Sequence, residues 1–162
     1  TLLADRLEQA ISNSQRQDKL LVVGLLDLDG FKEVNDLYGH ELGDQLLNEV
    51  TQRFLSELRA GDTIARLGGD EFVLLLTDIE DIDDMEVALD RVLANVARPY
   101  QIDGLQVQIS ASIGVTVYPL NEADPESLLR HADQAMYQAK QAGRNRVVAA
   151  STLPPLPPVA AE

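Results

Sequence analysis

The sequence predicts an α+β domain in which helices flank a mainly antiparallel sheet. Three observations carry that expectation. A nearly continuous apolar run extends from Leu20 to Leu28, apolar and small polar residues alternate from Leu105 to Val117, and apolar stripes of helical spacing separate the strand-like segments. The order of these elements suits helices packed on a sheet built largely from antiparallel neighbours.

Taken in order, Thr1 to Asp18 reads as a helix with Leu3, Leu7 and Ile11 on one stripe. It starts abruptly, as though cut from a longer protein. The run from Leu20 to Leu28 is long and apolar enough for a central strand buried on both faces. A short helix is expected from Phe31 to about Tyr38, then a longer one from about Glu41 to Leu58 with Leu46, Val50, Phe54 and Leu58 inward. Thr63 to Leu67 and Glu71 to Leu76 form a hairpin around Gly68 and Gly69, since paired glycines supply the positive φ angles of a tight turn. Asp83 to Ala97 is the next helix, stopped at Arg98-Pro99. From Leu105 to Val117 every odd position is apolar, which predicts one strand with one buried face. Asp124 and Pro125 open the last helix, as cap and first helical residue, and Gly143 closes it. Its inner face carries Leu128, Ala132, Ala135, Met136 and Ala139, and Val147-Val148 adds a short final strand. Residues 1–150 are thus expected as one domain, and 151–162, rich in proline, as a tail or linker.

Composition narrows the function. Apolar residues make up 45% and charged residues 25%, as in ordinary globular chains. No cysteine is present, which excludes disulfides and thiolate metal sites. No apolar run approaches the roughly 20 residues that span a bilayer, so no membrane contact is expected of this domain. Thirteen basic against 27 acidic residues, a net of -14, argues against a nucleic-acid polymer as partner. It leaves room for a single nucleotide held through a cation that bridges carboxylates and phosphates.

Two acidic clusters stand out. Asp27 and Asp29 lie on the same face of a strand end, where carboxylates and a backbone carbonyl can hold a hard cation. Asp70 and Glu71 follow Gly68-Gly69 at the hairpin tip, where adjacent carboxylates repel unless solvent or a cation compensates. Either cluster alone reads as an exposed acidic turn.

Together they are far more specific. LGGDEF, preceded by DLDGFKEVNDLYGHELGDQLL and followed by SASIGV and HADQAMYQAKQAGRN, closely resembles the GGDEF family of diguanylate cyclases over about residues 1 to 149. The resemblance implies a palm-like fold shared with nucleotide polymerases and nucleotidyl cyclases, and condensation of two GTP into cyclic di-GMP. It implies Mg2+ or Mn2+, two per active site, bound by Asp27, Asp70, Glu71 and the Leu28 carbonyl, with Glu71 also a candidate proton acceptor. Asn35 and Asp44 match guanine-binding positions; a carboxylate there accepts from guanine N1–H, a donor that adenine lacks. Lys32, Lys140 and Arg144 match triphosphate contacts, and Lys140 and Arg144 stand four residues apart, one helical turn. Phe31, His40, Gly68 and Gly69 fall within the same substrate-binding motifs. Arg59 and Asp62, with five residues between Asp62 and Gly68, match an inhibitory product site that Arg91 is expected to join.

The partners so implied are GTP, cyclic di-GMP as product and inhibitor, and a second copy of the chain, since one domain supplies half of the site. The family pattern usually opens with a DxLTGLxNR segment that would just precede Thr1. A sensory domain upstream, a phosphodiesterase (EAL) domain beyond the proline-rich tail and a cytoplasmic location are further expectations. The competing reading is a regulatory module that binds GTP or cyclic di-GMP without turning it over. Intact Asp27, Gly68, Gly69, Asp70 and Glu71 weigh against it.

Overall fold

The computed structural model describes residues 2–120 and 124–150; the proline-rich segment lies outside the described residues. Its elements are α1 (Leu2–Gln17), β1 (Leu20–Asp29), α2 (Phe31–Tyr38), α3 (His40–Glu57), β2 (Thr63–Gly68), β3 (Glu71–Ile79), α4 (Ile82–Ala97), β4 (Tyr100–Ile102), β5 (Leu105–Val107), β6 (Ser110–Tyr118), α5 (Pro125–Gln141) and β7 (Arg146–Ala149). Five strands form one sheet in the order β2-β3-β1-β6-β7. Every neighbour is antiparallel except β6 and β7, which run parallel.

The sheet separates two cores. Val22, Leu26, Phe72, Leu74, Ile113 and Val115 pack with α3 and α4 on one face. Leu21, Val23, Val73 and Leu75 meet Leu7 of α1 and Leu128 of α5 on the other. β1 is central because it is apolar at both parities, as the run from Leu20 predicts.

The segment 105–117 departs from expectation in two ways. It is two strands: β5 pairs with β4 in a separate hairpin, with Tyr100 opposite Val107, and β6 enters the main sheet after Gln108 and Ile109. The turn between β4 and β5 is Asp103-Gly104, both at positive φ (51° and 77°), as a tight hairpin turn requires. β6 is also buried on both faces, because its even positions are small enough to lie beneath α5. Thr116 Oγ1 donates to the Leu128 carbonyl at 3.0 Å. At Gly114 an added Cβ would stand 2.0 Å from the Met136 nitrogen and 2.2 Å from the Ala132 oxygen. The helix backbone therefore rests almost directly on the strand, against the buried Ala132, Ala135 and Ala139 face of α5. Asp124 fixes where that helix begins, its carboxylate accepting from the Ser127 N–H at 3.0 Å.

Candidate active site

β1 delivers its acidic end to the sheet edge that faces α5. In the ladder Asp27 sits opposite Glu71 on β3 and opposite Ser112 on β6. Paired residues share a face, so Asp27 and Glu71 both point to the α5 side. The hairpin tip closes over this edge through Gly68 and Gly69 (φ 153° and 53°). Arg66 braces it, Nε donating to the Gly69 carbonyl at 2.8 Å. The Leu28 N–H then donates to the Asp70 carbonyl at 3.1 Å, which ties the turn to β1 and brings Asp70 beside Asp27.

The two carboxylates are in direct electrostatic contact. Burial first, then the charge of Asp27, push the Asp70 carboxyl up to about 6, against smaller opposing pulls from backbone hydrogen bonding and from the charge of Lys140. Asp27 is 7% exposed. Its Oδ2 is paired with the Lys140 ammonium from α5, while Oδ1 is buried without a hydrogen-bond partner. A buried, unsatisfied carboxylate oxygen beside a second carboxylate that resists ionisation fits a cation position. Among the described residues no three His, Asp or Glu side chains form a ready metal cluster, and Glu71 is exposed. Two carboxylates completed by carbonyl, water and phosphate oxygens is the arrangement Mg2+ favours.

Asn35 carries a second buried acceptor without a partner, its Oδ1. It lies against Gly43, where a Cβ would come within 1.9 Å of that oxygen, and Asp44 is the next residue of α3. The packing of α2 on α3 thus brings Asn35 against the residue that precedes Asp44, so both residues of the expected guanine site lie close together. Phe31 is a core residue, whereas Lys32 and His40 are exposed.

Lys140 and Arg144 do not share a helical face. α5 ends at Gln141, and Arg144 follows in a turn at φ 66°, so the one-turn relation expected of them fails. Asp29, on the same face as Asp27, is not open to a cation either: Ser110, Ser112 and the Asn145 N–H all donate to it. The braces at Arg66 and Gly43 and the Lys140–Asp27 ion pair escaped sequence reasoning. Of these only the glycine carried a signal, a small residue one position before Asp44.

The Arg59 cluster stands at the opposite end of the β2–β3 ladder from the hairpin, beside Thr77. Both Asp62 oxygens are used inside the loop: Oδ2 accepts from the Arg59 N–H at 2.9 Å and Oδ1 from the Thr77 N–H at 2.9 Å. Arg59 Nη2 reaches the Thr77 carbonyl at 3.2 Å. Arg59, Asp62 and Arg91 line one recess of about 100 Å3.

No helix among the described residues is long and apolar enough to cross a membrane. The family profile described as "Diguanylate cyclase, GGDEF domain" matches residues 1–146. A bifunctional diguanylate cyclase/cyclic di-GMP phosphodiesterase of Pseudomonas aeruginosa, MucR, is 52% identical over 144 residues, 89% of this chain and 21% of MucR. The cyclic di-GMP phosphodiesterase PdeR of Escherichia coli is 40% identical over 144 residues, again 89% of this chain and 21% of the relative. The chain therefore spans about a fifth of the length of these relatives. The crystal structure of the GGDEF domain of TpbB (YfiN) from P. aeruginosa superposes with a TM-score of 0.87 at 36% identity, covering 91% of this chain and 92% of that one.

Proposed function

Because the chain belongs to the GGDEF domain family of diguanylate cyclases, we propose that it condenses two GTP into cyclic di-GMP and two pyrophosphates, with two copies facing each other across a two-fold axis. The observation that carries this reading is the side-by-side placement of Asp27 and Asp70, one with an orphaned buried oxygen and the other held near pKa 6.

Asp27, Asp70 and the Leu28 carbonyl would hold Mg2+ or Mn2+, two per site, with Glu71 at its margin. Such an ion lowers the pKa of the attacking 3′-hydroxyl and neutralises charge at phosphorus. Asn35 and Asp44 read guanine, the orphaned Asn35 acceptor finding its donor there. Lys140 is placed to turn from Asp27 to the phosphates, and Arg144 and Lys32 add charge around them. Gly68 and Gly69 let the hairpin backbone approach the nucleotide, with no Cβ between them. Phe31 contributes by fixing the start of α2, and His40 by standing at the start of α3. The 3′-oxygen of one GTP bonds to the α-phosphorus of the other, pyrophosphate leaves, and Glu71 takes the hydroxyl proton. A second round with the roles exchanged closes the ring.

Incubating the purified chain with GTP and Mg2+ and separating products by mass tests the proposal. Cyclic di-GMP should form, with turnover per chain rising as chain concentration rises; GTP left intact at all concentrations contradicts it. The likeness to PdeR, a cyclic di-GMP phosphodiesterase, favours a second reading, a nucleotide-binding regulatory module of a longer protein. Tight GTP binding without product would establish that reading instead.

Guanine recognition has its own test. Gly43→Ala should fold, since the Asn35 side chain can rotate away, but GTP affinity should drop about tenfold while Mn2+ affinity stays constant. Equal GTP binding by calorimetry would remove Asn35 from the site.

Product inhibition is proposed at Arg59 and Arg91, whose guanidinium groups can grip phosphate or guanine bidentately, with Asp62 ordering the loop. The loop bond to Asp62 uses the Arg59 backbone N–H, so it survives side-chain removal. Arg59→Ala should raise the half-inhibiting concentration of cyclic di-GMP at least about tenfold. Inhibition unchanged in that variant would place the product elsewhere.

A further inference from the structure

We infer that Asp29 is a positioning residue: it fixes the turn that carries Arg144 and is not a ligand of the cation held at Asp27. The inference rests on the reading of Arg144 as a triphosphate contact.

Asp27 and Asp29 are the same residue on the same face of one strand, two positions apart and equally buried (7% and 8% exposed). Their surroundings differ completely. Asp27 keeps an oxygen without a hydrogen-bond partner. Asp29 Oδ1 accepts from Ser112 Oγ at 2.7 Å, and Oδ2 accepts from Ser110 Oγ at 2.8 Å and from the Asn145 N–H at 3.1 Å. Three donors on a buried carboxylate satisfy most of its accepting capacity, so little is left to offer a cation.

The third donor is the informative one. Asn145 and Arg144 occupy consecutive left-handed positions, φ 48° and 66°, a conformation that asparagine tolerates and arginine rarely adopts. It persists only where the surroundings over-determine it. Here they do so at three points. The Arg144 N–H donates to the Ala139 carbonyl at 2.9 Å, the Arg144 carbonyl accepts from Arg146 Nε at 3.0 Å, and Asp29 holds the next N–H. Two of these anchors are local to the turn. Asp29 ties it directly to β1, the strand that bears Asp27. It thereby registers Arg144, at the far end of α5, against the carboxylates and whatever phosphates they bind. Losing that acceptor frees the left-handed pair to relax and swings the Arg144 side chain away from its bearing.

The test is a double-mutant cycle on the whole chain, read by binding of a GTP analogue with an α,β-methylene bridge and, separately, of Mn2+ alone. Asp29→Ala should weaken the analogue about tenfold, and should have no further effect once Arg144→Ala is present. Asp29→Asn should restore binding to near the parent value, because its amide oxygen still accepts from Asn145. Mn2+ affinity should stay the same throughout. If Asp29→Ala does not fold, Asp29→Ser is read in its place, its hydroxyl being one atom too short to span to Asn145. Loss of Mn2+ affinity in both Asp29→Ala and Asp29→Asn would make Asp29 a cation ligand and overturn the inference, as would additive losses with Arg144→Ala. A parent chain that binds no analogue at all would overturn the GTP-site reading and this inference with it, whereas a binding parent with an additive cycle overturns the inference alone.

Discussion

Asp70→Asn should lower cyclic di-GMP formation by roughly a thousandfold while making the fold more stable at pH 8. The two effects have one cause. In the folded protein, partial burial first and the negative charge of neighbouring Asp27 second push the Asp70 carboxyl up to about 6 from its ordinary 3.8. A carboxyl with a raised folded pKa binds its proton more tightly in the folded state. Its contribution to stability is therefore complete below about 3.8 and is lost as pH rises through about 6. Asparagine cannot ionise, so the variant escapes that loss. Its advantage in melting temperature should be greatest at pH 8, shrink as pH falls through 6, and vanish below the ordinary carboxylate range. The same ionised pair that strains the fold is what attracts a divalent ion. Mn2+ should accordingly raise the melting temperature of the parent chain at pH 8 far more than at pH 5, and that of Asp70→Asn little at either. Scanning calorimetry across this range checks both signs. A variant that melts lower than the parent at pH 8 would mean that Asp70 is held by favourable contacts and not by enforced proximity to Asp27.

Gly114→Ala carries the largest expected cost to stability, about 3 kcal/mol or more. Its Cβ would fall 2.0 Å from the Met136 nitrogen, 2.2 Å from the Ala132 oxygen and 2.6 Å from the Ala135 carbonyl carbon. All three are backbone atoms of α5, so no side chain can rotate to make room, in contrast to Gly43, where the obstacle is the tip of Asn35. The helix must lift off β6, which opens the packing around Ala132, Ala135 and Ala139 and moves Lys140 away from Asp27. Urea unfolding should show a lower midpoint with a similar slope. A midpoint equal to that of the parent would contradict the close seating of α5 on β6.

What the sequence made legible was whatever chemistry is local. Paired glycines announced the hairpin at Gly68-Gly69, the Asp124-Pro125 pair announced the start of α5, and unbroken apolarity announced β1 as central. The division of residues 105–117 was not legible, because alternation records which face a residue takes and not which strand it pairs with. Odd positions stay apolar straight through Gln108 while the partner changes from β4 to β1. The Asp103-Gly104 turn was the available signal for the missed hairpin.

The site divides along the same line. The resemblance to the GGDEF family indicated Asp27, Asp70, Asn35 and Asp44. It could not indicate that Lys140, 113 residues away from Asp27, neutralises one of its oxygens. Nor could it separate Asp27 from Asp29, whose different surroundings are set by two serines of β6 and by a backbone N–H beyond α5. The helical spacing of Lys140 and Arg144 misled because the helix stops one residue after Lys140, and the turn beyond redirects the chain.

The proposed chemistry requires that Asp27 and Asp70 together seat a divalent cation against the phosphates of GTP. Anomalous diffraction from crystals grown with Mn2+ and the α,β-methylene analogue tests it most directly. A manganese peak should appear in contact with oxygens of both carboxylates and of the triphosphate. Manganese bound elsewhere, with Lys140 still seated on Asp27 and the triphosphate away from Asp70, would contradict it.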